Sequence, residues 1–407
     1  MSKRKSRVKD ITARNVLNSI GDFCLEVEVL LDSGTRAYES SPAGTTTGKY
    51  DAKLISSNEA IKLLPVLRNE LIGLAAEDQL TIDNTINNCL GDENERIYGA
   101  NLSTATSMAI CKAAATSFGI QPYQHLANVF DTTPSIPQLV VNVLNGGAHA
   151  GNGLPITEFM LVTRGCTGIE ALMGVTSVYH ELRDILKTKY GLSSIHVGLE
   201  GGFAPAESDP QKAIEHLTLA IDKSCRQDLI SIGLDVAAGN LFDPQRGKFK
   251  FGNEYLSTED LVSYYIGLIK KNNKIIYLED PLAEDQVQDW VRLCLQLPDK
   301  IIAGDDLIAT SSKRLSHITA LRAVNAVVLK INQCGTISEI VECLRLARAA
   351  SLVTIMSQRS RETDSDFLTH LSVGLGTDYL KAGACARERI IKYNSLLRLA
   401  ENFQPEA

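Results

Sequence analysis

The chain has 407 residues, 44% of them hydrophobic and 22% charged, with 41 basic against 48 acidic side chains and a formal net charge of −7. A mean hydropathy of −0.02, with the apolar residues spread evenly, excludes a disordered, collagen-like or low-complexity chain. The acidic balance argues against nucleic-acid binding through a broad basic face, yet it admits an anionic small substrate, because a few local cations or a metal reverse the field inside a cleft.

The basic residues 1–7 are not followed by an apolar stretch, so no signal peptide is expected. No run approaches the ~18 apolar residues of a membrane span. Residues 23–31 alternate as a half-buried strand does, and the turn Asp32-Ser33-Gly34 leads into a second strand. A loop of small residues, 40–48, precedes helical segments at 58–74, 81–89 and 103–118. Pro134 and Pro137 then mark a boundary, which sets the expected domains at 1–135 (α+β) and 136–407 (α/β).

Beyond that boundary, short apolar runs at 139–143, 159–162, 231–234, 275–278, 301–303, 326–329 and 352–356 read as buried strands. Helical segments at 168–187, 210–223, 284–297 and 337–350 separate many of them. Such repetition implies a parallel sheet covered on both faces, and its count favours a closed α/β barrel over an open doubly wound sheet. No GxGxxG opens a helix. The nine cysteines, odd in number and without zinc spacing, read as reduced thiols of a cytoplasmic protein.

The residues that end these runs carry the chemistry. Asp235, Glu279-Asp280, Asp305-Asp306, Lys330 and Gln358-Arg359-Ser360 stop five successive strands. In a parallel barrel all strand carboxyl ends open on one face, where active sites sit. Each acid taken alone is as well explained as a helix N-cap. Three at consecutive strand ends point instead to a hard divalent cation such as Mg²⁺. A lysine at the next strand end is placed to act as a base once its pKa is lowered.

Nine segments in order now resemble the enolase family. They are Asn142-Val-Leu-Asn-Gly-Gly-Ala-His149, Glu158-Phe-Met160, Glu200-Gly-Gly-Phe-Ala-Pro205, Leu234-Asp-Val-Ala-Ala238, Leu278-Glu-Asp-Pro281, Gly304-Asp-Asp-Leu307, Leu329-Lys-Ile-Asn-Gln-Cys-Gly-Thr336, Ser357-Gln-Arg-Ser360 with Glu362-Thr363, and Lys381-Ala-Gly-Ala384 with Lys392-Tyr-Asn394. The resemblance runs from Arg14 to Arg398. It implies an amino-terminal α+β domain packed on a barrel of ββαα(βα)6 order, and Mg²⁺-dependent dehydration of 2-phosphoglycerate to phosphoenolpyruvate. It assigns the catalytic metal to Asp235, Glu279 and Asp305, the base to Lys330, and the acid to Glu200 with Glu158 as its partner. Lys381 would bind the substrate carboxylate, Arg359, Ser360 and Gln358 its phosphate, and His149 would sit on a mobile loop at the site. The loop Pro42-Ala-Gly-Thr-Thr-Thr-Gly48 resembles the family's lid, with Thr46 offering a hydroxyl and a carbonyl to a second Mg²⁺. Glu26 and Arg398 match a pair that crosses the family's dimer interface, so a homodimer is expected.

Departures cluster near the phosphate position. Gln358 stands where the family has histidine and cannot carry positive charge. Arg361 replaces a glycine and is expected to add a cation beside the phosphate. Leu199 replaces the acid that usually precedes the catalytic glutamate. Asn18-Ser-Ile-Gly21 and Phe23-Cys24-Leu25 replace amino-terminal signatures. These changes keep two alternatives open: a divergent relative acting on another phosphoglycerate- or phosphonate-like acid, and an enolase-like protein of low activity kept for binding. An acid-sugar dehydratase fits less well, since the Glu200-Gly-Gly and Lys381-Ala-Gly segments are those of enolases proper.

Overall fold

A computed structural model describes residues 6–44, 48–91 and 98–403. The chain begins with an antiparallel meander of β1 (Val8–Leu17), β2 (Phe23–Leu31) and β3 (Arg36–Ser40). The turn between β1 and β2 closes on Asn18, whose side chain accepts from the N–H groups of Ile20 and Asp22 at 3.0 and 3.1 Å. β1 is absent from the sequence reading because only Val8 and Ile11 of its ten residues are buried, which leaves no alternation to see. Helices follow at Ser57–Leu71, Gln79–Leu90, Ala100–Phe118 and Pro122–Phe130. The third is rich in Ala, Ser and Thr and buried along most of its length, since small side chains let it run against the meander and the barrel's helices at once.

The barrel strands are β4 (Gln138–Asn145), β5 (Glu158–Thr163) and β6 (Ile230–Asp235). A small sheet of β7 (Phe242–Asp243), β8 (Lys248–Phe251) and β9 (Glu254–Leu256) interrupts the series. Next come β10 (Ile275–Glu279), β11 (Ile301–Gly304), β12 (Ala326–Leu329), β13 (Val353–Ser357) and β14 (Tyr379–Gly383). They close in the order β10-β11-β12-β13-β14-β4-β5-β6. β5 runs antiparallel to both neighbours, and the helices Gly168–Tyr190 and Pro210–Lys223 lie between β5 and β6, giving the ββαα opening. The fold is therefore α/β, an eight-stranded barrel carrying an α+β unit.

Val140, Met160, Val162, Tyr277, Ala303, Ala326, Val328, Ile355 and Tyr379 fill the barrel interior, so it is a packed core and not a pore. A larger apolar layer lies between strands and outer helices. The sequence reading also lacks β14, which has a lysine at its centre although all five of its residues are buried. Among the described residues no helix is long and apolar enough to cross a membrane.

Candidate active site

The carboxyl ends of the parallel strands deliver Asp235, Glu279, Asp305, Lys330, Gln358, Arg359 and Ser360 to one rim, with Lys381 in register one strand along: Glu279 pairs Asp235, and Ser357 pairs Lys381. Glu158 reaches the same rim by another route. It opens β5, and because β5 is antiparallel its first residue lies opposite Asp235, the last of β6. Glu200 arrives on a loop held to the barrel by the Ala384 N–H, which donates to the Glu200 carbonyl at 3.0 Å. A Cβ at Gly383 would stand 2.0 Å from that same oxygen, so the approach requires glycine. Most of these residues, with His149, line one cavity of about 290 Å³.

The acids on one side of the cavity are compensated by lysines. Lys381 Nζ lies 2.6 Å from Glu279 Oε1 and 2.8 Å from Asp235 Oδ2, and Lys330 Nζ is bonded to Asp305 Oδ2. Burial disfavours the Lys330 ammonium, but the Asp305 carboxylate outweighs it and drives the pKa up. In this arrangement Lys330 is an acid's partner, and the lowering expected from Lys381 is overridden. Burial, reinforced by Asp235, pushes Glu279 up to about 8.

Beside these acids His149 Nδ1 stands 3.7 Å from Glu158 Oε1 and 4.0 Å from Glu200 Oε1, and Lys381 Nζ also lies 3.3 Å from Glu158 Oε2. Burial and the neighbouring Glu200 charge raise Glu158 well above the carboxylate range. Burial also works against ionised Glu200, but His149, Arg389 and a hydrogen bond from Glu158 outweigh it and hold Glu200 low. A proton at this pair is therefore held more readily by Glu158 than by Glu200.

Two acid groups have oxygens close enough to share one ion: Glu158 and Glu200 with His149, and Asp280, Asp305 and Asp306. Asp235, Glu279 and Asp305 form no such group among the described residues, because the lysines stand between them. Their chemistry still suits Mg²⁺: three buried, hard oxygen donors on neighbouring strand ends, whose charge requires a cation. Thr46 lies outside the described residues.

At the end of the cavity expected to take a phosphate, Arg359 is buried, with Nη1 donating to Asn332 Oδ1 at 3.1 Å and Nη2 3.5 Å from Asp51 Oδ2. Gln358 and Ser360 line the cavity beside it. Arg361 does not, which corrects the expectation of an added cation there. Its backbone pairs with Ala43, and its side chain turns to Asp22 Oδ2 at 3.4 Å. Leu199 donates its N–H to the His149 carbonyl at 3.3 Å, tying the two loops together.

Sequence reasoning passed over several supporting groups. Asn142 Nδ2 donates to Glu200 Oε2 at 3.1 Å, Tyr277 Oη to Glu279 Oε2 at 2.6 Å, and Gln333 Nε2 to Asp305 Oδ1 at 3.0 Å. Asn142 and Gln333 sit inside quoted segments, so the signal was present without a role attached.

Comparison with known proteins identifies the family. The family described as "Enolase, N-terminal domain" matches residues 8–126, and "Enolase, C-terminal TIM barrel domain" matches residues 133–407. Enolase B of Dictyostelium discoideum is 36% identical over 98% of this chain and 95% of its own length. The enolase of Methanococcoides burtonii is 38% identical, covering 98% of this chain and 96% of its own. That of Methanothrix thermoacetophila is 37% identical, over 97% and 96%. With both domain families matched in order across nearly its whole length, the chain belongs to the enolase family and is a phosphopyruvate hydratase-like lyase.

Proposed function

We propose that the chain dehydrates 2-phosphoglycerate to phosphoenolpyruvate, with Lys330 as base and the Glu158–Glu200 pair as acid. The observation that carries this reading is that Lys330 and the carboxylate pair Glu158 and Glu200 line one small cavity. Lys330 takes the proton from the carbon next to the substrate carboxylate. The electron pair left behind forms the carbon–carbon double bond as hydroxide departs from the next carbon. The Glu158–Glu200 pair gives its proton to that hydroxide, which leaves as water. Lys381 orients the carboxylate, and Arg359, Ser360 and Gln358 hold the phosphate.

Enolases are Mg²⁺-dependent, and Asp235, Glu279 and Asp305 are the residues that would hold the catalytic ion, with a second at the lid. Bound there, Mg²⁺ supplies positive charge to the substrate carboxylate and engages the acids that otherwise keep Lys330 an ammonium. The division into domains at 1–135 and 136–407, a cytoplasmic setting and a homodimer belong to the same proposal. Leu17 and Phe23, 60% and 70% exposed at one end of the amino-terminal sheet, favour the dimer.

Phosphoenolpyruvate formation, followed by absorbance with purified protein, 2-phosphoglycerate and Mg²⁺, tests the reading. Turnover that Lys330→Ala lowers by about 10⁴-fold is expected. A silent parent would sink it. A second substrate is favoured only by Gln358, and a parent activated by Gln358→His would point there.

A further inference from the structure

Resting on that reading of the phosphate end, we infer that Arg389 is a positioning residue that turns the Gln358 amide so that its Nε2 donates to the phosphoryl group. Arg389 is wholly buried and stands behind Gln358, paired to its neighbour Glu388. Its Nε–H donates to Gln358 Oε1 at 3.2 Å. A guanidinium has donors only, so the atom facing it must be the amide oxygen. The amide nitrogen is thereby turned away, and Gln358 lines the cavity. Gln358 is only 4% exposed, and its Nε2 is buried without a hydrogen-bond partner. A buried donor of this kind calls for an acceptor.

Arg389 also fixes the backbone around that donor. Its Nη2 donates to the Ser360 carbonyl at 2.7 Å and to the Arg359 carbonyl at 3.4 Å. The Gln358 N–H donates to the Lys381 carbonyl at 3.1 Å. One buried cation therefore sets the segment carrying all three proposed phosphate groups. The class of ligand this suits is a phosphate monoester held at this point by a neutral donor.

The test uses the full-length protein with Mg²⁺ and two readouts: affinity for inorganic phosphate by ³¹P NMR titration, and kinetics with 2-phosphoglycerate. Arg389→Met is expected to weaken phosphate about tenfold and to raise KM about as much, the scale of one lost hydrogen bond to a charged group, with any change in kcat reflecting the Arg389 charge near Glu200. Gln358→Leu should do the same, and the double variant should be no weaker than Gln358→Leu alone. Losses that add in the double variant, or a fall in kcat with phosphate affinity unchanged, would overturn the inference. Should Arg389→Met not fold, Gln358→Leu decides: a tenfold loss supports the donor, and unchanged phosphate affinity removes it. A parent without turnover whose phosphate affinity still depends on both residues would end the proposed reaction while leaving Arg389 its role.

Discussion

The two walls of the cavity manage buried charge in different ways. On one, Asp235, Glu279 and Asp305 end parallel strands, and each has a lysine nitrogen against it. On the other, Glu158 and Glu200 come from an antiparallel strand and a loop, and they face each other with His149 nearly 4 Å away. The first wall is neutralised by lysines alone, the second by Lys381, 3.3 Å from Glu158 Oε2, together with a proton. That difference suits an elimination, since one wall must receive a proton while the other has one to give.

Replacing the two glutamates separately sharpens the contrast most. Glu158→Gln removes the proton that the departing hydroxide takes and is expected to cost about 10³-fold in kcat, whereas Glu200→Gln leaves that proton in place and should cost about tenfold. Equal losses would mean that the proton does not reside on Glu158.

A buried group with no compensation at all calibrates both walls. His125, in the helix Pro122–Phe130, is 3% exposed with its Nε2 unpartnered, and burial lowers its pKa from 6.5 to about 4. Below pH 6.5 the unfolded chain takes up a proton that the native state refuses, so stability falls as pH drops, until about pH 4. The loss at that end is roughly 3 kcal/mol. Chemical denaturation across this window should show His125→Leu losing less stability than the parent as pH drops, by about that amount.

Smaller effects are expected where support is indirect. Asn142→Ala deprives Glu200 of a donor and should lower kcat about tenfold while leaving KM near the parent value. Steady-state kinetics of Arg361→Ala should differ from the parent by less than about twofold, because that side chain turns to Asp22. A tenfold rise in KM would return Arg361 to the phosphate.

Much of this cavity was legible because burial writes itself as apolar runs and chemistry as the residues that stop them. Asp235, Glu279, Asp305 and Lys330 were visible in that way. Lys381 came only through resemblance, since a lysine in the middle of a five-residue strand hides the strand. The pairings were not legible. That Lys381 bridges Asp235 and Glu279 follows from barrel closure, which joins residues more than a hundred positions apart. Arg389 was missed for the same reason, as nothing in its local sequence points back to Gln358. Arg361 was misread because a substitution pattern gives a residue's place in the chain but not the direction of its side chain.

The closing seam bears on how the molecule is made. β14 pairs with β4, joining Tyr379 to Gln138, so the first barrel strand to leave the ribosome waits for the last. Until then β4 and β13 each present an open edge, the acids of β6 and β10 lack the Lys381 ammonium, and Glu200's loop has no Ala384 to hold it. A chain cut shortly before residue 379 would lose far more than a terminal tail, exposing a sticky, charge-frustrated barrel. Closure of the barrel during synthesis therefore waits on residues 379–383.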